Sequence, residues 1–287
     1  MNNPITRRDA LAAMAAGLAV PAFAESRSDA LTVIVMDPMA AALSCPCVKG
    51  YAQRDYDKLG AFLGKELGRP VKVTYTDSLT KGLKEKTEGR ADLIIGKESV
   101  VRAETKANKL PAVPIASLTG KDGKTTMTGM FVVAGADPAF TPSDLKGYRI
   151  IFGTPECDEK YAAALIVLKD AGVEVSEKRE SCGSCSEGAV AVVEAFKSGS
   201  KTATVISSYA QPLLEGCGTV KKGDLRVVGE TAPVPFIVVF ATEKLPASAR
   251  EEIQGALFQV GKDRDLSVAM ESKDGFVPPP APGEKKK

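Results

Sequence analysis

The chain has 287 residues and contains no histidine. This absence excludes a Ser-His-Asp catalytic triad and any zinc or copper site that uses imidazole ligands. It also excludes c-type haem attachment, because Ser186 stands where the C-x-x-C motif would need a histidine. Glycine motifs for nucleotides are missing too, since neither a P-loop nor a G-x-G-x-x-G follows a strand-like run.

The chain also lacks an excess of either charge. Its 38 basic residues almost balance its 36 acidic residues, and the one basic block is Lys285 to Lys287. The electrostatic signature of a nucleic-acid-binding protein is therefore absent. Beyond the N-terminal segment, no apolar run approaches the ~18 residues of a membrane span. We expect a soluble mature protein with no nucleic-acid partner and no membrane anchor.

The N-terminal segment has the pattern of an export signal. Arg7 and Arg8 precede an apolar run at 10–20, and residues 22–24 (AFA) fit a small-x-small cleavage site. We predict that residues 1–24 are a signal peptide of the twin-arginine (Tat) type, with a general secretory signal as the alternative. No cysteine follows the cleavage site, so a lipid anchor is not indicated. The expected location is the periplasm.

Strand-like and helix-like segments alternate along the rest of the chain. LTVIVM (31–36), VKVTYT (71–76) and ADLIIG (91–96) are β-rich, whereas 54–67 and 79–89 carry apolar residues at helical spacing. The alternation continues to a last helical stretch, EEIQGALFQVGK. It predicts an α/β fold with mainly parallel sheets.

The chain also divides into two parts. The segments around 116–132 and 228–237 have the pattern of extended crossings between two lobes. We predict lobe 1 from 25–125 and 230–275, lobe 2 from 126–229, and a flexible Pro- and Lys-rich tail at 276–287. Ligands of such sheets bind at the carboxyl ends of strands, so we expect the ligand in a cleft between the lobes.

Five segments carry a further signal through their order and spacing. They are YDKLGAFLGKELGRPVKVTYTDS, GRADLIIGKESVVRAE, DGKTTMTGMFVVAGADPAFTPSDLKGYRIIFGTPE, LIVLKDAGVEV and APVPFIVVFATEKLPASAREEIQGAL. Together they resemble the phosphate/phosphonate-type substrate-binding proteins of ABC importers, over roughly residues 31 to 262. The resemblance implies a type II-like periplasmic binding protein that closes on a small molecule or ion. It also implies an ABC permease partner and no enzymatic activity.

The resemblance places candidate ligand contacts on loops that face the cleft. In the family, the turn after the SDLKGYRIIFG strand binds an oxyanion with hydroxyl groups, but here that turn is TPECDE, whose carboxylates would repel a phosphonate dianion. Those acids either ligate a hard cation or only stabilise a helix start. For Lys97 the alternative to an anion contact is an ordinary solvated lysine. The candidate ligand contacts are Tyr51, Lys97, Ser99, Thr125, Thr126, Thr154, Glu156, Ser207 and Ser208.

Six cysteines complete the pattern: Cys45, Cys47, Cys157, Cys182, Cys185 and Cys217. An exported protein keeps disulfides, and an even count suits three bridges. All except Cys217 map onto loops that line the cleft of the resembled family, which also fits a ligand site. Cys182 and Cys185 form a C-x-x-C at a predicted helix start, where the helix dipole lowers the pKa of a thiol.

Three interpretations of the cysteine-rich cleft stay open on sequence grounds. The cysteines form disulfides without further chemistry, hold a metal ion or an iron–sulfur cluster as thiolates, or act as a thiol redox centre. The first functional hypothesis is therefore a periplasmic solute-binding protein for phosphate or phosphonate transport. The alternative is the same scaffold adapted to hold a cysteine-ligated metal, cluster or redox centre.

Overall fold

The computed structural model describes residues 30–44 and 52–279. The predicted signal peptide, the last eight residues of the predicted tail, and Cys45, Cys47 and Tyr51 all lie outside the described residues. Among the described helices, none has both the length and the apolar character needed to cross a bilayer.

The described residues form thirteen strands and eight α-helices. The strands are β1 (Leu31–Met36), β2 (Val71–Tyr75), β3 (Leu93–Lys97), β4 (Ala112–Leu118), β5 (Thr126–Met127), β6 (Gly129–Ala134), β7 (Arg149–Phe152), β8 (Glu180–Ser181), β9 (Thr202–Ser207), β10 (Leu225–Glu230), β11 (Val234–Pro235), β12 (Ile237–Thr242) and β13 (Phe276–Val277). The helices are α1 (Tyr56–Glu66), α2 (Leu79–Glu85), α3 (Glu98–Ala107), α4 (Ala162–Asp170), α5 (Cys185–Lys197), α6 (Ala210–Gly216), α7 (Ala247–Leu257) and α8 (Arg264–Ala269). Three short 3₁₀ helices lie at Pro142–Leu145, Asp158–Lys160 and Val260–Lys262.

Two large sheets organise these elements. One has six strands in the order β13-β4-β12-β3-β1-β2, and the other has five in the order β10-β6-β9-β7-β8. We call the six-stranded sheet with its helices lobe 1 and the five-stranded sheet with its helices lobe 2. The α/β fold with two lobes is thus as predicted, whereas the residue boundaries given for the lobes stay a prediction.

The sheets are mixed, and the prediction of mainly parallel sheets was wrong. Among the strand pairs of the described residues, only β1–β2, β1–β3, β7–β8 and β7–β9 are parallel. The chain returns from lobe 2 into lobe 1 as β12, which lies antiparallel between β3 and β4. In lobe 2, β6 lies antiparallel to both of its neighbours, β9 and β10. The alternation of strands and helices in the sequence does not predict this antiparallel strand, because β12 follows an extended crossing between the lobes and not a helix.

Each sheet is buried on both faces. In β1 the side chains alternate, so that Val33 and Val35 pack with α1 and α7, while Ile34 and Met36 pack on the opposite face with Leu79 of α2. Lobe 2 repeats this arrangement, with α4 on one face and α5 and α6 on the other. Burial on both faces explains why these strands are near-continuous apolar runs in the sequence.

The two crossings between the lobes pair with each other. Met127 of β5 lies opposite Val234 of β11, and Thr126 lies opposite Pro235, in a separate antiparallel two-stranded ribbon. Pro235 is tolerated there because this ribbon has only two strands and leaves edges free. The ribbon and the residues that flank it connect the two lobes.

A buried ionic cluster fixes the start of α1 against β1. Arg54 donates to Asp37 at 2.8 Å, and the Tyr56 hydroxyl donates to the same carboxylate oxygen at 2.6 Å. Arg54 also donates to the carbonyl oxygen of Met270 at 3.3 Å. Each charge in this cluster has a partner, as burial requires.

Candidate functional site

Lys97 brings a positive charge from lobe 1 to lobe 2. It is the last residue of β3, whose five residues are all buried, and it immediately precedes α3. Its Nζ donates to Oε1 of Glu159 at 2.6 Å and to Oγ of Ser207 at 3.1 Å, and both acceptors belong to lobe 2. The interpretation of Lys97 as a solvated lysine is wrong, because only 9% of its side chain is exposed.

Glu159, the carboxylate that pairs with Lys97, is closely enclosed by its neighbours. It lies in the 3₁₀ helix that follows β7, and its side chain is 1% exposed. Ser207 donates its hydroxyl hydrogen to the same Oε1 atom at 2.8 Å. Close approach depends on Gly129, since a Cβ added there would lie 2.0 Å from the carbonyl oxygen of Glu159. Lys97, Glu159 and Ser207 together form what we call the cross-lobe network.

The ion pair controls the charge state of both partners. Burial acts to raise the pKa of Glu159, but the Lys97 ammonium and the hydrogen bonds from Lys97 and Ser207 outweigh it and lower that pKa. Burial likewise acts to lower the pKa of Lys97, yet the nearby Tyr209 and Glu159 raise it well above its ordinary value. Both groups are therefore charged at neutral pH.

A second polar contact lies beside the cross-lobe network. Ser99, in the first turn of α3, donates its hydroxyl hydrogen to the carbonyl oxygen of Glu156 at 2.7 Å and accepts from the backbone N–H of Asp158 at 3.2 Å. Arg102, one turn later, pairs with the Asp158 carboxylate at 2.9 Å. The N-terminal half of α3 thus docks on the turn that follows β7.

An aromatic stack forms the third contact between the lobes. The ring of Tyr209 lies on that of Phe236 with centroids 5.4 Å apart and planes 17° apart. The Lys97 ammonium lies 5.4 Å from the Tyr209 centroid, and the Arg54 guanidinium lies 5.1 Å from the Phe236 centroid. Each cation therefore faces one ring of the stack, which is a favourable electrostatic arrangement.

Three of the predicted cleft cysteines lie around this region. Ser207 donates its backbone N–H to Cys185 Sγ at 3.4 Å. Cys157 and Cys185 both contribute to the electrostatic environment of the Lys97 ammonium, and Cys182 in turn interacts with Cys185. The cysteine-rich turns and the cross-lobe network therefore share one location.

The thiols differ from the expectations in two respects. Cys157, Cys182, Cys185 and Cys217 are free thiols, so the predicted disulfides do not occur among the described cysteines. Burial raises the pKa of Cys182, whereas a helix-start C-x-x-C was expected to lower it. The expectation was wrong because α5 begins only at Cys185, so that Cys182 precedes the helix and lies buried.

Metal ligation has no support from the described residues. Within 30–44 and 52–279, no group of three or more cysteine or acidic side chains is arranged to hold a metal ion. The acids of the TPECDE turn lie apart, since Glu159 pairs with Lys97, Asp158 pairs with Arg102, and Glu156 is exposed. The cysteine-ligated metal or cluster stays a prediction, because Cys45 and Cys47 lie outside the described residues.

The remaining predicted contacts fall near this region without joining the network. Ser208 accepts from the backbone of Thr128 at 3.3 Å, and the Thr154 hydroxyl lies 3.6 Å from Cys157 Sγ. Thr126 belongs to the connecting ribbon and is exposed, and Thr125 precedes it. Cys217, which was expected away from the cleft, directly follows α6, and its thiol lies 3.0 Å from the Thr219 hydroxyl.

The sequence did not identify several residues of this region. Glu159 was interpreted only as one of several acids at a helix start, and Tyr209, Phe236 and Lys160 were not candidates. The turn has three acids within four residues, at 156–159, but this pattern does not show which of them is buried or that the partner is Lys97. Two surface cavities, of about 560 and 420 Å³, are lined by other residues and do not include the cross-lobe network.

Comparison with known proteins decides the family. The family model described as "ABC transporter, phosphonate, periplasmic substrate-binding protein" matches residues 50–281. The chain belongs to this family. Its members are the substrate-binding components of ABC transporters, act in the periplasm, and serve transport. A search of curated proteins gave no match.

Solved structures show the same fold at low sequence identity. PhnD1 from Prochlorococcus marinus, in complex with methylphosphonate, has a TM-score of 0.64 and 14% identity, over 88% of this chain and 93% of that chain. A binding protein component of an ABC phosphonate transporter from Pseudomonas aeruginosa has a TM-score of 0.64 and 11% identity, over 88% and 82%. A Xanthomonas citri protein bound to ATP has a TM-score of 0.63 and 17% identity, over 88% and 92%. The chain is thus a substrate-binding component by family and a type II periplasmic binding protein by fold.

Proposed function

We propose that this phosphonate-binding family member captures a small oxyanion of the phosphate or phosphonate class between its two lobes and delivers it to an ABC permease. The supporting observation is the cross-lobe network. Lys97 and Ser207, from different lobes, already hold one anionic oxygen, Oε1 of Glu159, at 2.6 and 2.8 Å. An ammonium and a hydroxyl directed at one oxygen are the donors that bind phosphoryl oxygens.

The polar character of the lobe junction suits reversible closure. The Lys97, Ser99 and Arg102 contacts are hydrogen bonds and ion pairs, and water can replace each of them when the lobes separate. An apolar junction would instead expose its surface on opening, at about 25 cal/mol per Å². Opening would also separate Lys97 from Glu159, so that a ligand anion can take the place of that carboxylate beside the ammonium.

The predicted signal peptide and the family together support a periplasmic location and a permease partner. The predicted absence of enzymatic activity is consistent with transport receptors, whose work is binding and release. Residues Ser99, Thr154 and Ser208 lie near the network and are the further hydroxyl groups available to a bound oxyanion.

A thermal-shift and calorimetric screen with methylphosphonate, phosphate, phosphite and sulfate tests this function. A ligand at a hundredfold excess over its dissociation constant stabilises the folded state by about 2.7 kcal/mol. We expect at least one of the four to raise the melting temperature, and Lys97→Met to remove the effect. Lys106→Met, in the exposed last turn of α3, is the matched control. If none of the four anions binds the unchanged protein, the proposal is wrong.

A further inference from the structure

The Lys97–Glu159 pair raises a question of charge for any anionic solute of the cleft. Lys97 Nζ lies 2.6 Å from Oε1 of Glu159, so the two charges cancel in this structure. Lys97 comes from lobe 1 and Glu159 from lobe 2, so a solute oxygen that replaces the carboxylate beside the ammonium leaves Glu159 in lobe 2. The solute and the carboxylate then share one buried site, since the Glu159 side chain is only 1% exposed.

Lys97 is the one cation that forms an ion pair with Glu159 in the described part of the chain. Lys160, the next residue, is buried and interacts with the Cys182 thiol. Burial acts to raise the pKa of Glu159, and the Lys97 ammonium together with hydrogen bonds from Lys97 and Ser207 lowers it. Once Lys97 compensates a solute anion instead, burial favours the protonated form of Glu159.

Five other titratable groups lie near Glu159 or its partner Lys97. They are Glu98, Asp158, Cys157, Cys185 and Tyr209. Glu98 and Asp158 both pair with Arg102. Burial raises the pKa of Tyr209 and keeps its phenol neutral. The strand β6 and the first two turns of α4, which pack against the same turn, carry no ionisable side chain. None of these groups therefore compensates a second negative charge beside Glu159.

One shared proton removes the repulsion between a carboxylate and a phosphoryl oxygen. The O–H group on either side then donates to the oxygen of the other, and such charge-assisted bonds are short and strong. A phosphoryl group loses its second proton with a pKa of about 6, whereas sulfate is fully deprotonated at neutral pH. With sulfate the carboxyl group must take up the proton, and its ordinary pKa is about 4.3. The difference favours a phosphoryl solute by roughly fiftyfold.

We propose that Glu159 is a specificity-determining residue that shares one proton with a phosphoryl oxygen of the bound solute and thereby selects protonatable oxyanions over sulfate. This inference rests on the proposed function and narrows its substrate class to phosphates and phosphonates that bind with one proton. The proton enters with the solute or from water, and it leaves with the solute or returns to water on release. Lys97 neutralises Glu159 in the empty protein, and the shared proton does so in the loaded protein. A carboxylate in the TPECDE turn is then compatible with a phosphonate.

Proton sharing has a signature in the pH dependence of binding. Above the second pKa of the solute, the free solute and Glu159 are both deprotonated, and the complex holds one proton more than its free components. Affinity therefore rises as the pH falls, by about tenfold per pH unit, and becomes constant once the free solute is itself protonated. A glutamate with only a structural role produces no uptake of protons on binding.

Glu159→Gln separates the structural role of this residue from its role in specificity. The amide has no acidic proton to share, and Lys97 loses its internal counter-charge. We expect this variant to take up no proton and to bind sulfate and methylphosphonate with affinities that agree within about threefold. Glu180→Gln is the control, since it removes an exposed carboxylate of lobe 2 that pairs with Arg149. It should bind as the unchanged protein does.

Isothermal titration calorimetry of the mature chain with methylphosphonate, phosphate, phosphite and sulfate tests the proposal. Titrations at about pH 6.5, 7.5 and 8.5 in two buffers with different heats of ionisation give the number of protons taken up. We expect about one proton per bound phosphoryl anion at the highest pH. The affinity for sulfate should be about tenfold to a hundredfold lower than that for the phosphoryl anions.

The outcomes distinguish this inference from the proposed function. Binding without proton uptake, equal affinity for sulfate, or uptake that persists in Glu159→Gln would overturn the role of Glu159 and leave the proposed function intact. Failure of the unchanged protein to bind any of the four anions would overturn both. If Glu159→Gln does not fold, the proton count and the sulfate comparison on the unchanged protein decide the matter.

Discussion

The substitution Glu159→Gln tests the cross-lobe network most directly. Glutamine keeps the shape of the side chain and can still accept hydrogen bonds from Lys97 and Ser207, but it removes the negative charge. Lys97 then carries an uncompensated charge, with only 9% of its side chain exposed. Breaking a buried ion pair by removing one partner costs about 3–5 kcal/mol. Because the amide oxygen can still accept these hydrogen bonds, we expect Glu159→Gln to lower the free energy of unfolding by about 3 kcal/mol. This loss corresponds to a decrease of roughly 6–12 °C in melting temperature.

Two controls separate this effect from ordinary loss of a surface charge. Glu180 pairs with Arg149 at an exposed site, so Glu180→Gln should cost only about 0–1 kcal/mol. The double variant Lys97→Met/Glu159→Gln removes both charges and should recover most of the lost stability. Urea unfolding of the single and double variants gives the coupling free energy between the two residues.

The pH dependence provides an independent check of the same pair. Burial acts to raise the pKa of Glu159, but Lys97 and Ser207 lower it overall, so the folded pKa lies below the unfolded value of about 4.3. The stabilisation is therefore complete above the unfolded pKa and disappears as the pH falls through the folded pKa. Glu159→Gln should lack this acid-dependent part. If Glu159→Gln costs no more than Glu180→Gln, and the acid dependence is unchanged, the buried ion pair does not hold the lobes together.

Three further predictions concern single residues of the same region. Gly129→Ala should lower the free energy of unfolding, measured with urea, by about 3 kcal/mol or more, because the added Cβ would lie 2.0 Å from the carbonyl oxygen of Glu159. A loss near zero would mean that the two backbones are not in close contact there. Cys185 is half-buried and should react with a thiol reagent before Cys182, because burial raises the pKa of the Cys182 thiol. Mass spectrometry of partially labelled protein identifies the order of reaction, and the reverse order would contradict the prediction. Tyr209→Ala should lower stability by at least about 1 kcal/mol through loss of the ring stack, while an unchanged melting curve would show that the stack contributes nothing.

The fold could be predicted from the sequence because its strands are buried on both faces. LTVIVM, ADLIIG and TATVISS are short runs rich in apolar residues; the structure places β1 and β9 within the first and the third, and β3 overlaps the second and ends one residue beyond it. Strand direction could not be derived in this way. Whether β12 lies parallel or antiparallel to β3 depends on a pairing between residues about 140 apart, such as Val239 and Ile95, which a local pattern does not contain.

The site was predicted only in part, for a similar reason. Lys97 was a candidate contact because it lies in GRADLIIGKESVVRAE, one of the segments that resemble the family, and such a segment is a local feature. Its partner Glu159 is 62 residues away, and only the approach of the two sheets brings them together. The expectation for Cys182 was wrong because the helix dipole is local whereas the burial that raises its pKa is tertiary.

The paired crossings have a consequence for how this receptor signals its state. Because β5 and β11 hydrogen-bond to each other, the two connections between the lobes bend as one strip and resist sliding past each other. We therefore expect the lobes to rotate about that strip more easily than they slide, so that open and closed arrangements would differ mainly by a hinge rotation. If the proposed function is correct, an ABC permease would distinguish the ligand-bound receptor from the empty one by this rotation.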